Sequence, residues 1–111
     1  MQFDIYINKN KTTNKEFPYL LDIQSDTLKK LATRIVVPLT PSSMVKFPVK
    51  TLHLGVEIKG KKYIALFDEL ASYPAAELAK PIQNIAEHRA EIFEAMDLID
   101  RKSTRLNSSH T

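Results

Sequence analysis

Residues 17–41 read FPYLLDIQSDTLKKLATRIVVPLTP, and this stretch decides the fold class. Phe17, Tyr19, Leu21 and Ile23 fall on every second position, which is the period of a strand with one buried face. After a polar interval, Ile35, Val36 and Val37 make a dense run of β-branched residues, the pattern of a strand buried on both faces. Both predict central strands. Pro38, Pro41 and Pro48 lack the N–H that a ladder needs, so residues 40–50 are expected to form an edge or a loop.

Outward from that stretch the same period continues. Residues 2–7 predict a strand with Phe3, Ile5 and Ile7 on one face and Gln2, Asp4 and Tyr6 on the other, followed by a polar loop from Asn8 to Asn14. Leu52, Leu54, Val56 and Ile58 alternate, Lys59-Gly60 turns the chain, and Tyr63 to Phe67 returns with β-favouring residues, a hairpin signature. Five strands are expected. After Phe67 the period lengthens. Ser72 is placed to cap a short helix with Pro74 near its start, and Pro81 to open a longer one. Ile82, Ile85, Arg89, Ile92, Met96 and Ile99, with Phe93 beside them, recur at three- and four-residue steps and predict an amphipathic helix over 82–99. Strands first and helix last make an α+β domain. Residues 101–111, RKSTRLNSSHT, hold one apolar residue, Leu106, and are expected to be a disordered tail outside a single domain of residues 1–100.

Composition excludes several classes of function. The chain has 111 residues, no Cys and no Trp, which allows no disulfide frame, no thiolate metal site and no Cys nucleophile. No apolar run reaches the length of a membrane span, and MQFDIYINKNK lacks the order of a signal peptide, so a cytoplasmic location is expected. Lys+Arg 16 against Asp+Glu 13 looks basic, but Arg101, Lys102 and Arg105 carry the whole excess, leaving 13 against 13 in residues 1–100. A neutral body lacks the general phosphate attraction of a nucleic-acid binder; Lys59, Lys61 and Lys62 form a local basic cluster, read as a solvated hairpin tip.

Catalytic constellations are thin. His53 lies in a strand, His88 in the helix and His110 in the tail, and no pair has metal-ligand spacing. Gly55 and Gly60 are too few for a phosphate-cradling loop, and no Gly-x-Ser-x-Gly elbow occurs. Arg34, Asp26, Ser25 and a histidine are the residue types of an acid/base site for RNA cleavage, although such residues occur in most domains as solvated or hydrogen-bonded groups. His88 and Arg89 are expected to bond to strand residues or carbonyls.

The order Leu21-Asp22-Ile23-Gln24-Ser25-Asp26, then Thr33-Arg34-Ile35-Val36-Val37-Pro38-Leu39, resembles the CcdB family of type II toxin–antitoxin cytotoxins, the DNA gyrase poisons. Further matches follow in order: Met1-Gln2-Phe3 with Tyr6, Val56 to Tyr63, Glu69-Leu70-Ala71-Ser72-Tyr73-Pro74, and His88 to Ile92 running on to Ile99. The resemblance implies a small SH3-like β-barrel with a C-terminal α-helix, shared with the PemK/Kid ribonuclease toxins. It implies a homodimer without metal or nucleotide cofactor that is not an enzyme. Its implied partners are the gyrase A subunit, a cognate CcdA-like antitoxin whose disordered segment folds on the toxin, and operator DNA only together with that antitoxin; no membrane is implied.

By the same resemblance, Thr27, Leu28, Asp97, Leu98 and Ile99 match gyrase-facing positions, with Thr27 a polar departure from an aliphatic pair. Asn8, Lys9, Asn10 and Lys11 match a segment used with antitoxin. Where the family carries an apolar or aromatic residue followed by Gly-Ile, this chain has Asp100, Arg101, Lys102 and Ser103, and Ser103 to His110 looks like a translated cloning or adapter sequence. Two other readings stand beside this one: a ribonuclease toxin of the same barrel, in which Arg34 is essential, and an antitoxin-binding module without a target.

Overall fold

The structure is a computed structural model that describes residues 1–25 and 32–110, with residues 101–110 described by their backbone. Seven strands precede the one α-helix among these residues: β1 (Asp4–Ile7), β2 (Tyr19–Asp22), β3 (Thr33–Pro41), β4 (His53–Ile58), β5 (Lys61–Leu66), β6 (Ala71–Pro74), β7 (Gln83–Asn84) and α1 (Arg89–His110). Every pairing is antiparallel, in the order β4-β5-β3-β2-β1-β7, with β6 also on β3. The sheet curls into a half-barrel and the helix closes one side, so the small α+β barrel expected from the sequence is the fold. Gln83 Nε2 donates to the Glu57 carbonyl at 3.1 Å, joining β7 to β4, the two ends of that order.

The predicted central strands are central. β2 lies along Val36 to Leu39 of β3, while the opposite edge of β3 is shared, β6 taking Thr33 to Val36 and β5 taking Leu39 to Pro41. That sharing explains why Pro38 sits inside a central strand. Ile23 N–H donates to the Ile35 carbonyl at 3.1 Å, so by alternation the hydrogen-bonded pairs with β2 fall at odd positions of β3, and position 38 faces the point where β6 gives way to β5. Position 38 falls between those two pairings, where a missing N–H is tolerated, and β3 runs on to Pro41, past the expected break at residue 40.

Two predicted helical segments are strand and turn instead. Ser72 does not cap a helix; it pairs with Ile35 in β6, because the first half of β3 offers an open edge whose backbone groups need partners. A single 3-10 turn, Ala75–Glu77, follows. The long helix begins at Arg89, not near residue 82, because the edge of β1 captures the preceding segment. Ile82 N–H donates to the Ile5 carbonyl at 2.8 Å and Ile85 N–H to the Phe3 carbonyl at 2.9 Å. The side chains of Ile82 and Ile85 still pack in or against the core, by strand geometry rather than helical periodicity. A 3-10 turn, Ala86–His88, leads into α1 and holds His88, which the sequence reading put in the helix. Past residue 99 neither Gly nor Pro occurs, and extending a nucleated helix is cheap. Backbone of the segment expected as a tail is accordingly helical to His110.

Two surfaces of the sheet are buried. The main core gathers Phe3, Ile5, Leu21, Val37, Leu39, Ile58, Phe67 and Ile85 with Ile92 and Ala95 of the helix. On the other face Asp4 and Tyr6, expected at the solvent side, are also buried, and Ile7 is half-exposed. That second face has a polar centre. Arg34 donates through Nε at 3.0 Å and Nη2 at 2.8 Å to Asp22 Oδ2, and through Nη2 to the Gln24 carbonyl at 3.2 Å. Gln24 N–H donates to Asp22 Oδ1 at 3.0 Å, and Ile35 N–H to Gln24 Oε1 at 2.9 Å. The Met1 ammonium lies 3.4 Å from Asp4 and 3.6 Å from Asp22.

Removing one member of a buried ion pair leaves the other charge stranded, which costs about 3–5 kcal/mol. Arg34→Ala is therefore expected to lower the unfolding free energy by about that amount in urea titration, a loss of fold and not of a surface function. At the β4–β5 hairpin Lys59 and Gly60 have φ of 51° and 82°, the two-residue turn expected. A Cβ at Gly60 meets nothing within 4 Å, so Gly60→Ala is expected to cost about 1 kcal/mol through its backbone alone, readable as a drop in thermal midpoint.

Candidate functional site

The first turns of α1 dock through a residue in an unusual conformation. Phe3 is buried with φ of 74°, a left-handed setting that bulky residues rarely adopt. Its ring meets Phe93 edge-on at 5.8 Å and carries the Arg89 guanidinium at 5.7 Å from its centroid. Arg89 thus packs on Phe3, a residue of the predicted first strand, through its aromatic face, while His88 Nδ1 lies 3.0 Å from Glu91 Oε1 in the first turn of α1. Ile92 and Ala95 then enter the core.

One step round the helix from that stripe, Phe93, Met96, Asp97 and Asp100 stand at i, i+3, i+4 and i+7. With Ile23, Ile35, Leu70 and Ile99 they line an open groove of about 450 Å³. Its lining is apolar apart from the two carboxylates. Phe93 and Leu70 are partly exposed there, 44% and 37%. Of the residues matched to gyrase-facing positions, the groove takes Asp97, which is exposed, and Ile99, which is half-buried against the core. Leu98 is half-buried beside it and does not line it. Thr27 and Leu28 lie outside the described residues, as does Asp26. Sequence periodicity noticed Phe93 only as a neighbour of the stripe; Leu70, Ile23 and Ile35 join it through sheet curvature, which no local pattern reports.

The segment matched to antitoxin contacts sits on the β1–β2 connection and contributes nothing to that groove. Asn8 is buried and organises the connection: its Nδ2 donates to Thr13 Oγ1 at 3.0 Å and to the Phe17 carbonyl at 2.8 Å, and its Oδ1 accepts from Asn10 N–H at 3.0 Å. Asn10 Oδ1 accepts from Thr12 N–H at 2.9 Å. Lys9, Asn10 and Lys11 are exposed on the frame so formed. Tyr73 of β6 reaches across to Asn8 Oδ1 at 3.4 Å. Burial first, then the Glu77 carboxylate, push its phenol above the ordinary value, against a smaller opposing effect of the Lys9 backbone. Tyr19 is raised too, by burial and then by Tyr63, whose ring it meets edge-on at 5.0 Å.

Little here suits acid/base chemistry. Arg34 is enclosed against Asp22 and Gln24, and the depression over it is lined by Met1, Tyr6, Ala75 and Leu78 without a histidine. Among the described residues no group of three His, Asp or Glu is arranged to hold a metal ion, and no helix is long and apolar enough to cross a membrane.

A family model described as CcdB protein matches residues 2–101. The chain belongs to the CcdB family. CcdB proteins are toxins of toxin–antitoxin modules, and the match takes in every strand, the groove, the β1–β2 connection and the start of α1. No curated protein sequence matches the chain.

In this CcdB-family barrel the Tyr73 contact ties the exposed β1–β2 connection to β6. A phenol raised in the folded state adds stability that is present below pH 10 and lost as pH rises through its folded value. Absorbance titration is expected to show phenols ionising above the free value, and Tyr73→Phe to remove one of them and to flatten the fall of the thermal midpoint in that range.

Proposed function

We propose that this chain is the toxin of a type II module that binds the gyrase A subunit and inhibits DNA gyrase, acting by binding and not by catalysis. The observation that carries the reading is the family match over residues 2–101. In this reading the toxin is a cytoplasmic homodimer, a CcdA-like antitoxin neutralises it by folding a disordered segment onto it, and the two together repress their operon. A rigid platform suits that division, because the ordering cost falls on the antitoxin.

Asp97, Leu98 and Ile99 on α1, with Thr27 and Leu28, face gyrase in this proposal, and Phe93 and Leu70 supply the exposed apolar area beside them. Lys9, Asn10 and Lys11 meet antitoxin, and Asn8 shapes the connection that presents them. Asp100, Arg101 and Lys102 stand where the family carries an apolar tip, and residues 101–111 are an addition to the toxin domain of residues 1–100. Charged side chains at those positions replace the apolar area that such a contact would bury, so in this proposal the chain as it stands is an impaired gyrase binder. The ribonuclease alternative gains nothing from Arg34, whose guanidinium is spent within the fold.

Calorimetry against the gyrase A subunit tests this, comparing the chain with a version whose residues 100–111 are replaced by Phe-Thr-Gly-Ile. Binding by the replaced version, weakened at least about ten-fold by Phe93→Ala in that background, is the expected result. Binding by neither, with both folded by circular dichroism, overturns the gyrase assignment.

A further inference from the structure

Between β3 and β4 the chain passes through a 3-10 turn, Ser42–Met44, and a proline-interrupted segment that exposes Met44, Phe47 and Val49, Phe47 at 88%. Apolar side chains held this far out of the core need backbone order from elsewhere. It comes from Val49, whose carbonyl accepts from Leu52 N–H at 3.0 Å and His53 N–H at 2.8 Å. The reverse bond closes the ring: Val49 N–H donates to His53 Nδ1 at 2.8 Å. Accepting that proton requires a lone pair on Nδ1, so the imidazole is neutral with its hydrogen on Nε2, which points to Asp68 Oδ1 at 3.5 Å.

We propose that His53 is a protonation-sensitive latch on the exposed segment 42–52. In its neutral form the ring joins the segment to β4 and, through Asp68, to the 3-10 turn Phe67–Glu69. Charging the ring puts a hydrogen on Nδ1, which turns an acceptor into a donor facing the Val49 N–H and breaks that bond, while the Asp68 contact survives. Charged groups of both signs share two grooves with the ring. Glu16 of the β1–β2 connection and Asp68 and Glu69 of the turn share one groove with Lys46, and Glu91 and Glu94 of α1 share the opposite one with Lys50. The consequence is an apolar segment ordered at neutral pH and loosened in mild acid.

Amide exchange by nuclear magnetic resonance tests the latch at pH 7.5 and 5.5, the interval over which an imidazole charges. Protection factors at Val49, Leu52 and His53 are expected to fall about ten-fold at the lower pH, the loss of roughly one hydrogen bond. His53→Asn keeps an acceptor that does not titrate and is expected to hold its protection at both values. Equal protection of the wild-type amides at the two pH values overturns the proposal, and so does the same fall in His53→Asn. Should His53→Asn fail to fold, the wild-type chain still decides: the Val49 amide shift must follow the ring-nitrogen titration of His53, and tracking His88 instead refutes the latch.

Discussion

The ion pair between Asp22 and Arg34 anchors the pairing of β2 with β3, the two strands on which the rest of the barrel is assembled. Both side chains are almost wholly buried, and Asp22 is closed on its remaining oxygen by the Gln24 N–H. An ion pair in such a place survives because every polar atom around it is matched. No buried side-chain nitrogen or oxygen among the described residues lacks a partner. A pair of this kind need not add net stability over an apolar substitute, but it strongly disfavours any register that separates its members. Since β3 meets β2, β5 and β6, a slip at this pair would move most of the sheet.

With β3 fixed, the two faces of the sheet take different work. One receives the helix, and the contact is set by Phe3, which accepts a disfavoured backbone conformation so that its ring meets Phe93 and Arg89. Docking the helix at that angle leaves its neighbouring face over Ile23, Ile35 and Leu70 unfilled, and the groove is the result. The other face carries the polar network and, through Tyr73, braces the β1–β2 connection. The groove beside the helix and the β1–β2 connection are thus built by separate parts of one frame.

How far these features could be read beforehand depends on the range of the forces involved. The strands 17–23, 35–37 and the 52–67 hairpin were legible because alternation, β-branching and a Lys-Gly turn are local signals that the tertiary contacts then reinforce. Ser72-Tyr73-Pro74 and Pro81 to His88 were misread because their cap-like and proline signals are weak, and open edges of β3 and β1 bid for the same backbone groups. Of the site, Asp97 and Ile99 were accessible through family resemblance and helical spacing. Leu70 and Ile35 were not, since they reach the groove from the end of a turn and the middle of a strand.

Local pattern was enough to read the class of the fold, its central strands, the hairpin turn and, through the order of its motifs, the family. Those follow from periodicity and backbone chemistry within a few residues of each position. Long-range contacts were needed to settle that Arg34 is spent on Asp22, that Pro38 falls between the pairings of β3 with β6 and with β5, that Gln83 and Asn84 are strand, and that Asn8 builds a loop while His53 holds one. Each of those outcomes is a competition for a single hydrogen-bonding group between partners far apart in the chain, and geometry alone settles which partner arrives.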